Sequence, residues 1–182
     1  MKKVLIGGIG NVLLGDDGVG PYVAHVLESR YEFDEGVEIA DLGTPALDLI
    51  DQLSSKDAVV FVDSMETEDP PGTVTLYRKA DIMRHTPAVR MDPHSPALVD
   101  TLFSVDLFGI SPPDVLLVGI RAESYDIGCN LSEPVKASLD RVIAEVLAEL
   151  DRLGVKYRCR QHPTEPTMWW TTDATLESPL AT

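Results

Sequence analysis

Residues 58–62 read Ala-Val-Val-Phe-Val, five apolar side chains in succession with none to offer to water. A strand of this kind is buried on both faces, which is the condition of a parallel sheet covered by helices on either side. Val4–Ile9, reading Val-Leu-Ile-Gly-Gly-Ile, has the same texture. Between these runs apolar residues recur at three- and four-residue spacing, the helical period. Val19, Tyr22, Val23, Val26 and Leu27 mark a helix from Gly18 to about Tyr31, and Leu47, Leu49, Ile50 and Leu53 mark another over Pro45–Leu53. Val37–Ala40 is a short strand between them. Strand, helix, strand, helix, strand predicts a three-layer α/β/α sandwich with a mostly parallel sheet.

The next link breaks the pattern. Only Ser64 to Gly72 separates the third strand from Thr73–Tyr77, whereas a parallel crossover needs about a dozen residues or more. The fourth strand is therefore predicted to be antiparallel. Ser95-Pro96 reads as an N-cap followed by proline at the first helical position, opening a helix that runs to about Phe108. Asp114–Ile120 is a fifth strand, and Glu133–Leu153 a long amphipathic helix stopped by Gly154. The reading is one α/β domain over residues 1–153 and a tail over 154–182. That tail carries the adjacent Trp169 and Trp170, and it docks either on its own domain or on a partner.

Charge narrows the function classes. The 182 residues include 15 Lys+Arg and 30 Asp+Glu, a net charge of −15. Such a surface disfavours nucleic acid, whose phosphates need clustered Lys and Arg, and it disfavours anionic membranes. A hydrophobic fraction of 44% is too high for a disordered acidic chain. The tail holds Lys156, Arg158 and Arg160 against Glu165, Asp173 and Glu177, so the whole excess belongs to the α/β body. An acidic field of this kind attracts metals or a basic segment of a partner. Two cysteines, Cys129 and Cys159, are too few for a disulfide framework. No apolar run approaches the ~18 residues of a membrane span. The expectation is a cytoplasmic monomer that does not insert into membranes.

In open α/β sheets ligands bind beyond the carboxyl ends of the strands, where the winding reverses. The loop after the first strand spans Gly8 to Gly20 and contains Asp16 and Asp17; the third strand ends in Asp63. If those strands are neighbours, the three acids meet in one crevice and repel unless a cation lies between them. The alternative is that Asp16 and Asp17 only complement the dipole of the following helix. A dinucleotide site is a poor match, because Leu13 stands at the third glycine position of the phosphate-binding fingerprint, although Asp41 is placed as a ribose-binding acid would be. A phosphoacceptor receiver domain, a binding module with a Mg²⁺ between similar acids, is the competing class; its first loop is shorter and its fifth strand ends in lysine, where Arg121 stands here. Among the four histidines, His94 is distinctive, fixed between Pro93 and Ser95-Pro96 in Asp-Pro-His-Ser-Pro. It is either a structural loop histidine or a ligand. Two carboxylates and an imidazole would leave positions open on a metal and tilt it from Mg²⁺ toward Zn²⁺ or Ni²⁺.

The stretch Gly-Ile-Gly-Asn-Val-Leu-Leu-Gly-Asp-Asp-Gly-Val-Gly, residues 8–20, resembles the N-terminal signature of hydrogenase maturation proteases. Asp41-Leu42-Gly43-Thr44, Val62-Asp63 and Pro93-His94 continue the resemblance in order and spacing over residues 1 to about 153. It implies a phosphorylase/hydrolase-like fold with sheet order 2-1-3-5-4 and strand four antiparallel. It also implies an endopeptidase that removes the C-terminal extension of the nickel–iron hydrogenase large-subunit precursor after nickel insertion. The family's metal-contacting positions fall on Asp17, Asp63 and His94, with the first position commonly Glu or Asp. The nickel would be supplied by the substrate, and Zn²⁺ or a similar ion could take the same place. Asn11, Asp16, Gly43 and Thr44 are implied to shape the crevice or hold substrate backbone. The tail beyond Gly154 matches nothing in the family pattern.

Overall fold

The computed structural model describes residues 1–44, 48–85, 98–166, 168 and 170. Its elements in chain order are β1 (Val4–Ile9), α1 (Val19–Arg30), β2 (Tyr31–Phe33), β3 (Val37–Gly43), α2 (Asp48–Leu53), β4 (Ala58–Met65), β5 (Val74–Arg78), α3 (Lys79–His85), α4 (Leu98–Leu107), β6 (Asp114–Arg121), α5 (Glu133–Leu153) and β7 (Tyr157–Cys159). A single 3-10 turn, Gly15–Gly18, leads into α1.

Five strands form the main sheet in the order β3-β1-β4-β6-β5. β1 pairs in parallel with β3 and β4, and β4 with β6; only β5 runs antiparallel, against β6. Counting the strands of this sheet alone, the order is 2-1-3-5-4, the one the resemblance implies. It differs from the 2-1-3-4-5 order of receiver domains, so the competing reading loses its fold. The short link between β4 and β5 reverses the chain, as its length requires.

Period-two alternation along β4 divides the core. Ala58, Val60 and Val62 face a layer built by Val19, Val23, Val26 and Leu27 of α1 and by Val135, Val142, Val146 and Leu150 of α5. Val59, Phe61 and Met65 face the opposite layer, with Leu49 and Leu53 of α2, Ile82 of α3, and Leu98, Leu102 and Val105 of α4. Each fully buried side chain of this size contributes about 1.5–3 kcal/mol. β4 is buried at all eight positions, which is why its sequence shows no polar alternation.

The helix α5 ends as its sequence predicts. Gly154 adopts φ 72°, and its N–H and that of Val155 donate back to the carbonyls of Asp151 and Leu150. Past this cap the chain returns to the body. β7 pairs antiparallel with β2, matching Phe33 to Tyr157 and Glu32 to Arg158. The Arg158 Nε–H donates to Glu32 at 2.7 Å. Farther on, Met168 packs against the α1–α5 layer, and the Trp170 ring lies edge-on to His25 of α1 with centroids 5.3 Å apart. These described parts of the tail therefore dock on their own domain. Trp169 lies outside the described residues.

Candidate active site

The first loop is shaped by glycine. Gly10 sits at φ 136°, and a Cβ there would lie 1.7 Å from the Asp17 carbonyl oxygen. The strand thus turns directly beneath the 3-10 turn that carries the acids. Gly20, in the first turn of α1, would place a Cβ 2.2 Å from the Ile9 carbonyl and 2.4 Å from that of Val62. Its absence lets the helix start rest on the carboxyl ends of β1 and β4, where the winding reverses.

Asp16 and Asp17 are consecutive in this turn, and they have separate partners. Asp16 is buried and turns into the β6–α5 loop. Its Oδ1 accepts the Ser132 N–H at 2.6 Å; its Oδ2 accepts the Glu123 N–H at 2.8 Å, the Ser124 N–H at 3.2 Å and the Ser132 hydroxyl at 2.8 Å. Neither acid caps α1, whose N-cap is Gly18. Asp17 is partly buried and faces β4. Its Oδ2 accepts the Asn11 N–H at 2.9 Å and its Oδ1 the Ser64 hydroxyl at 2.7 Å.

Asp63 lies beside Ser64 near the end of β4, 3% exposed. Burial first, and then the charge of Asp17, push its carboxyl well above the usual range, with a partial offset from the Ser64 N–H. An ionised Asp63 is therefore costly next to Asp17 without a cation. Tyr125, in the loop after β6, joins the same group. Burial raises its phenol, a hydrogen bond with Ser64 offsets part of that, and the charges of Asp17, Asp63 and Glu66 raise it further.

Beside the acids, a crevice of about 230 Å³ opens between the ends of β1 and β3, lined by Gly10, Asn11, Val12, Leu13, Asp41, Gly43 and Thr44. The Gly10 N–H donates to the Gly43 carbonyl at 2.8 Å, and Asp41 Oδ1 accepts the Gly43 N–H at 2.9 Å. These bonds hold the two loops side by side. Asn11, Gly43 and Thr44 are thus gathered at one opening. Asp16 stands apart from it, engaged by the loop on its other side.

The geometry brings together Asp17 and Asp63. His94 lies outside the described residues, and so do Ser95 and Pro96. Among the described residues no group of three or more His, Cys, Asp or Glu side chains could hold a metal ion. Ser64 and Tyr125 were not singled out from sequence. Ser64 had a usable signal: on β4 it shares the parity of Val60 and Val62, which face the α1 layer where Asp17 resides. Tyr125 had none. Cys129 and Cys159 are both free, with Cys159 on β7 away from the acids.

Comparisons with known proteins place the chain among relatives. The family model described as hydrogenase maturation protease matches residues 21–149. The hydrogenase expression/formation protein HupM of Azotobacter chroococcum is 35% identical over 164 residues, 90% of this chain and 78% of that protein. The hydrogenase 2 maturation protease of Escherichia coli is 30% identical over 158 residues, 85% of this chain and 94% of that one. Among solved structures, the hydrogenase maturating endopeptidase HybD from E. coli superposes with a TM-score of 0.80 at 29% identity, covering 88% of this chain and 98% of its own. With its fold and these relatives in agreement, the chain belongs to the hydrogenase maturation protease family.

Proposed function

We propose that this protein is the endopeptidase that removes the C-terminal extension of a nickel–iron hydrogenase large-subunit precursor once nickel has been inserted. Asp17, Asp63 and His94 contact the nickel carried by the precursor, so that only a metal-loaded substrate is seated for cleavage. The observation that carries the reading is the pairing of a buried Asp63 with Asp17 at the reversal point of the sheet. Two carboxylates held this close favour a cation, and carboxylate with imidazole suits nickel or zinc.

Each residue has a part that follows from its surroundings. The Asn11 N–H and Ser64 hydroxyl fix the Asp17 carboxylate in one orientation. The crevice lined by Asn11, Gly43 and Thr44 receives extended substrate backbone. The substrate's metal supplies Lewis-acid polarisation of the scissile carbonyl or a water acidified to a pKa of about 7. The protein acts as a cytoplasmic monomer, in keeping with described helices that are nowhere long and apolar enough to cross a membrane.

The test is to incubate the protein with nickel-loaded and nickel-free precursor and follow release of the C-terminal peptide by mass spectrometry. Cleavage of the loaded form alone is expected. Equal cleavage of both refutes the metal checkpoint, and full activity in Asp17→Asn or His94→Ala refutes the site assignment.

A further inference from the structure

The tail after α5 starts at the end of the sheet opposite the acids and climbs toward them. β1, β3 and β4 are parallel, so their carboxyl ends and the crevice lie at one end of the sheet. The last turn of α1 and the start of β3 lie at the other. There β7 pairs with β2, and Tyr31, Phe33 and Tyr157 form an aromatic cluster with centroids 6.0 to 6.2 Å apart. The Arg160 N–H donates to the Arg30 carbonyl at 2.8 Å, and its Nε–H to the Glu28 carbonyl at 3.0 Å. Farther along, Trp170 meets His25, more than a turn nearer the start of α1.

His25 is where this path reaches the crevice. Its Nε2 is buried, has no hydrogen-bond partner among the described residues and lies 3.6 Å from Asp41 Oδ2. Its Nδ1 lies 3.9 Å from Glu28. The Trp170 ring packs against the imidazole with 5.3 Å between centroids and 62° between planes. Asp41 has its other oxygen on the Gly43 N–H at 2.9 Å, and the Gly43 carbonyl accepts the Gly10 N–H at 2.8 Å. One carboxylate therefore bridges the helix that carries His25 and the rim of the crevice. With its proton on Nε2, the imidazole turns a positive edge toward Asp41 Oδ2. Burial of that nitrogen excludes the water that would screen the attraction.

We propose that His25 and Trp170 are positioning residues for the substrate crevice. The tail holds the imidazole against Asp41, and Asp41 holds the Gly43–Thr44 rim in the shape that receives substrate backbone. The effect on turnover rests on the protease reading above; the effect on the rim does not. Asp17 keeps its own partners, Asn11 and Ser64, so the tail acts on precursor binding and not on the chemical step.

Two measurements on the full chain test it. The first needs no substrate: hydrogen–deuterium exchange of the Gly43 amide, read by NMR. The reference is the Gly15 amide, which donates to the Gly128 carbonyl on the other side of the first loop. Trp170→Ala and His25→Ala are each expected to speed Gly43 exchange about fivefold, the scale of one lost aromatic pair. Gly15 stays unmoved, and Trp170→Phe stays near wild type. An unmoved Gly43 rate in either alanine variant overturns the proposal. Equal acceleration at Gly15 overturns it too, since that is general loosening. The second measurement is kinetic, on nickel-loaded precursor. Each alanine variant is expected to raise KM about fivefold at unchanged kcat, and the double variant to be no worse than either, because both act through Asp41. Losses that multiply in the double variant, or a fall in kcat at unchanged KM, overturn it. A wild-type protein that cleaves nothing refutes the protease reading, and Gly43 exchange still decides the role of the tail.

Discussion

Replacing Asp16 by asparagine separates the structural role of this acid from the nickel contact proposed for its neighbour. The wild-type carboxylate accepts from three backbone N–H groups and one hydroxyl while 2% exposed. Asparagine keeps one acceptor oxygen. Placed toward Glu123, Ser124 and the Ser132 hydroxyl, that oxygen leaves the amide NH₂ facing the Ser132 N–H, donor against donor. The reverse orientation leaves the Glu123 and Ser124 N–H groups without an acceptor, which is worse. The cheaper choice loses one charge-assisted bond of about 1.5–3 kcal/mol and leaves a buried donor unsatisfied at about 1–3 kcal/mol. The remaining bonds weaken as well, so a loss of about 4 kcal/mol is expected, a large part of the ~5–15 kcal/mol available to a domain. For a chain of this size that is a fall of roughly 12 °C in Tm. Urea and thermal unfolding followed by circular dichroism read it directly. A variant within about 0.5 kcal/mol of wild type would refute the reasoning. So would unchanged stability accompanied by lost metal or precursor binding, which would place Asp16 among the ligands instead.

Other substitutions probe other parts of the account. Asp63→Asn should raise Tm at pH 7.5 in chelator: a carboxyl whose folded pKa is raised stabilises most below its unfolded value near 4 and loses that stabilisation as pH rises through the folded one. A lower Tm for this variant would contradict the burial argument. Glu149, 4% exposed, accepts paired bonds from Arg78 and further bonds from Arg152. Burial pushes its carboxyl up, and the two guanidinium groups more than reverse this, leaving it lowered. Glu149→Gln should cost about 2 kcal/mol at pH 7, discounted for the half-exposed arginines, and the difference should vanish as pH falls through the lowered folded value. An undiminished gap at pH 3 would exclude charge as the cause. Gly20→Ala forces a Cβ against two strand carbonyls; insoluble or unfolded protein is expected, and a folded variant with native Tm would show that α1 can shift.

The sheet was legible in the sequence because its central strands are apolar on both faces and its one reversal is forced by a nine-residue link, Ser64 to Gly72. The cap of α5 was legible because Gly154 is the residue that tolerates a left-handed turn. The pair β2 and β7 was not, since three-residue strands show no period and their partners stand more than 120 positions apart (Phe33 with Tyr157). Nor was α3, which buries only Ile82 of Lys79–Arg84 and so lacks an apolar stripe. In the site, Asp17 and Asp63 could be placed near one another from strand order alone. Adjacency misled for Asp16: neighbouring residues of a tight turn diverge, and one of two consecutive acids went to a loop more than 100 residues along the chain. His25 of α1 has a buried Nε2 lying 3.6 Å from Asp41 and a ring packed against that of Trp170. Helical position alone does not reveal a neighbour contributed by the far end of the chain.

The central claim is that Asp17 and Asp63 meet nickel inside the substrate. Nickel K-edge absorption of the loaded precursor, alone and after mixing with the protein, addresses it most directly. The account predicts that complex formation adds oxygen or nitrogen scatterers to the nickel, and that Asp17→Asn together with Asp63→Asn abolishes the change while binding persists. An identical nickel spectrum in the free precursor and in its complex with wild-type protein would contradict it.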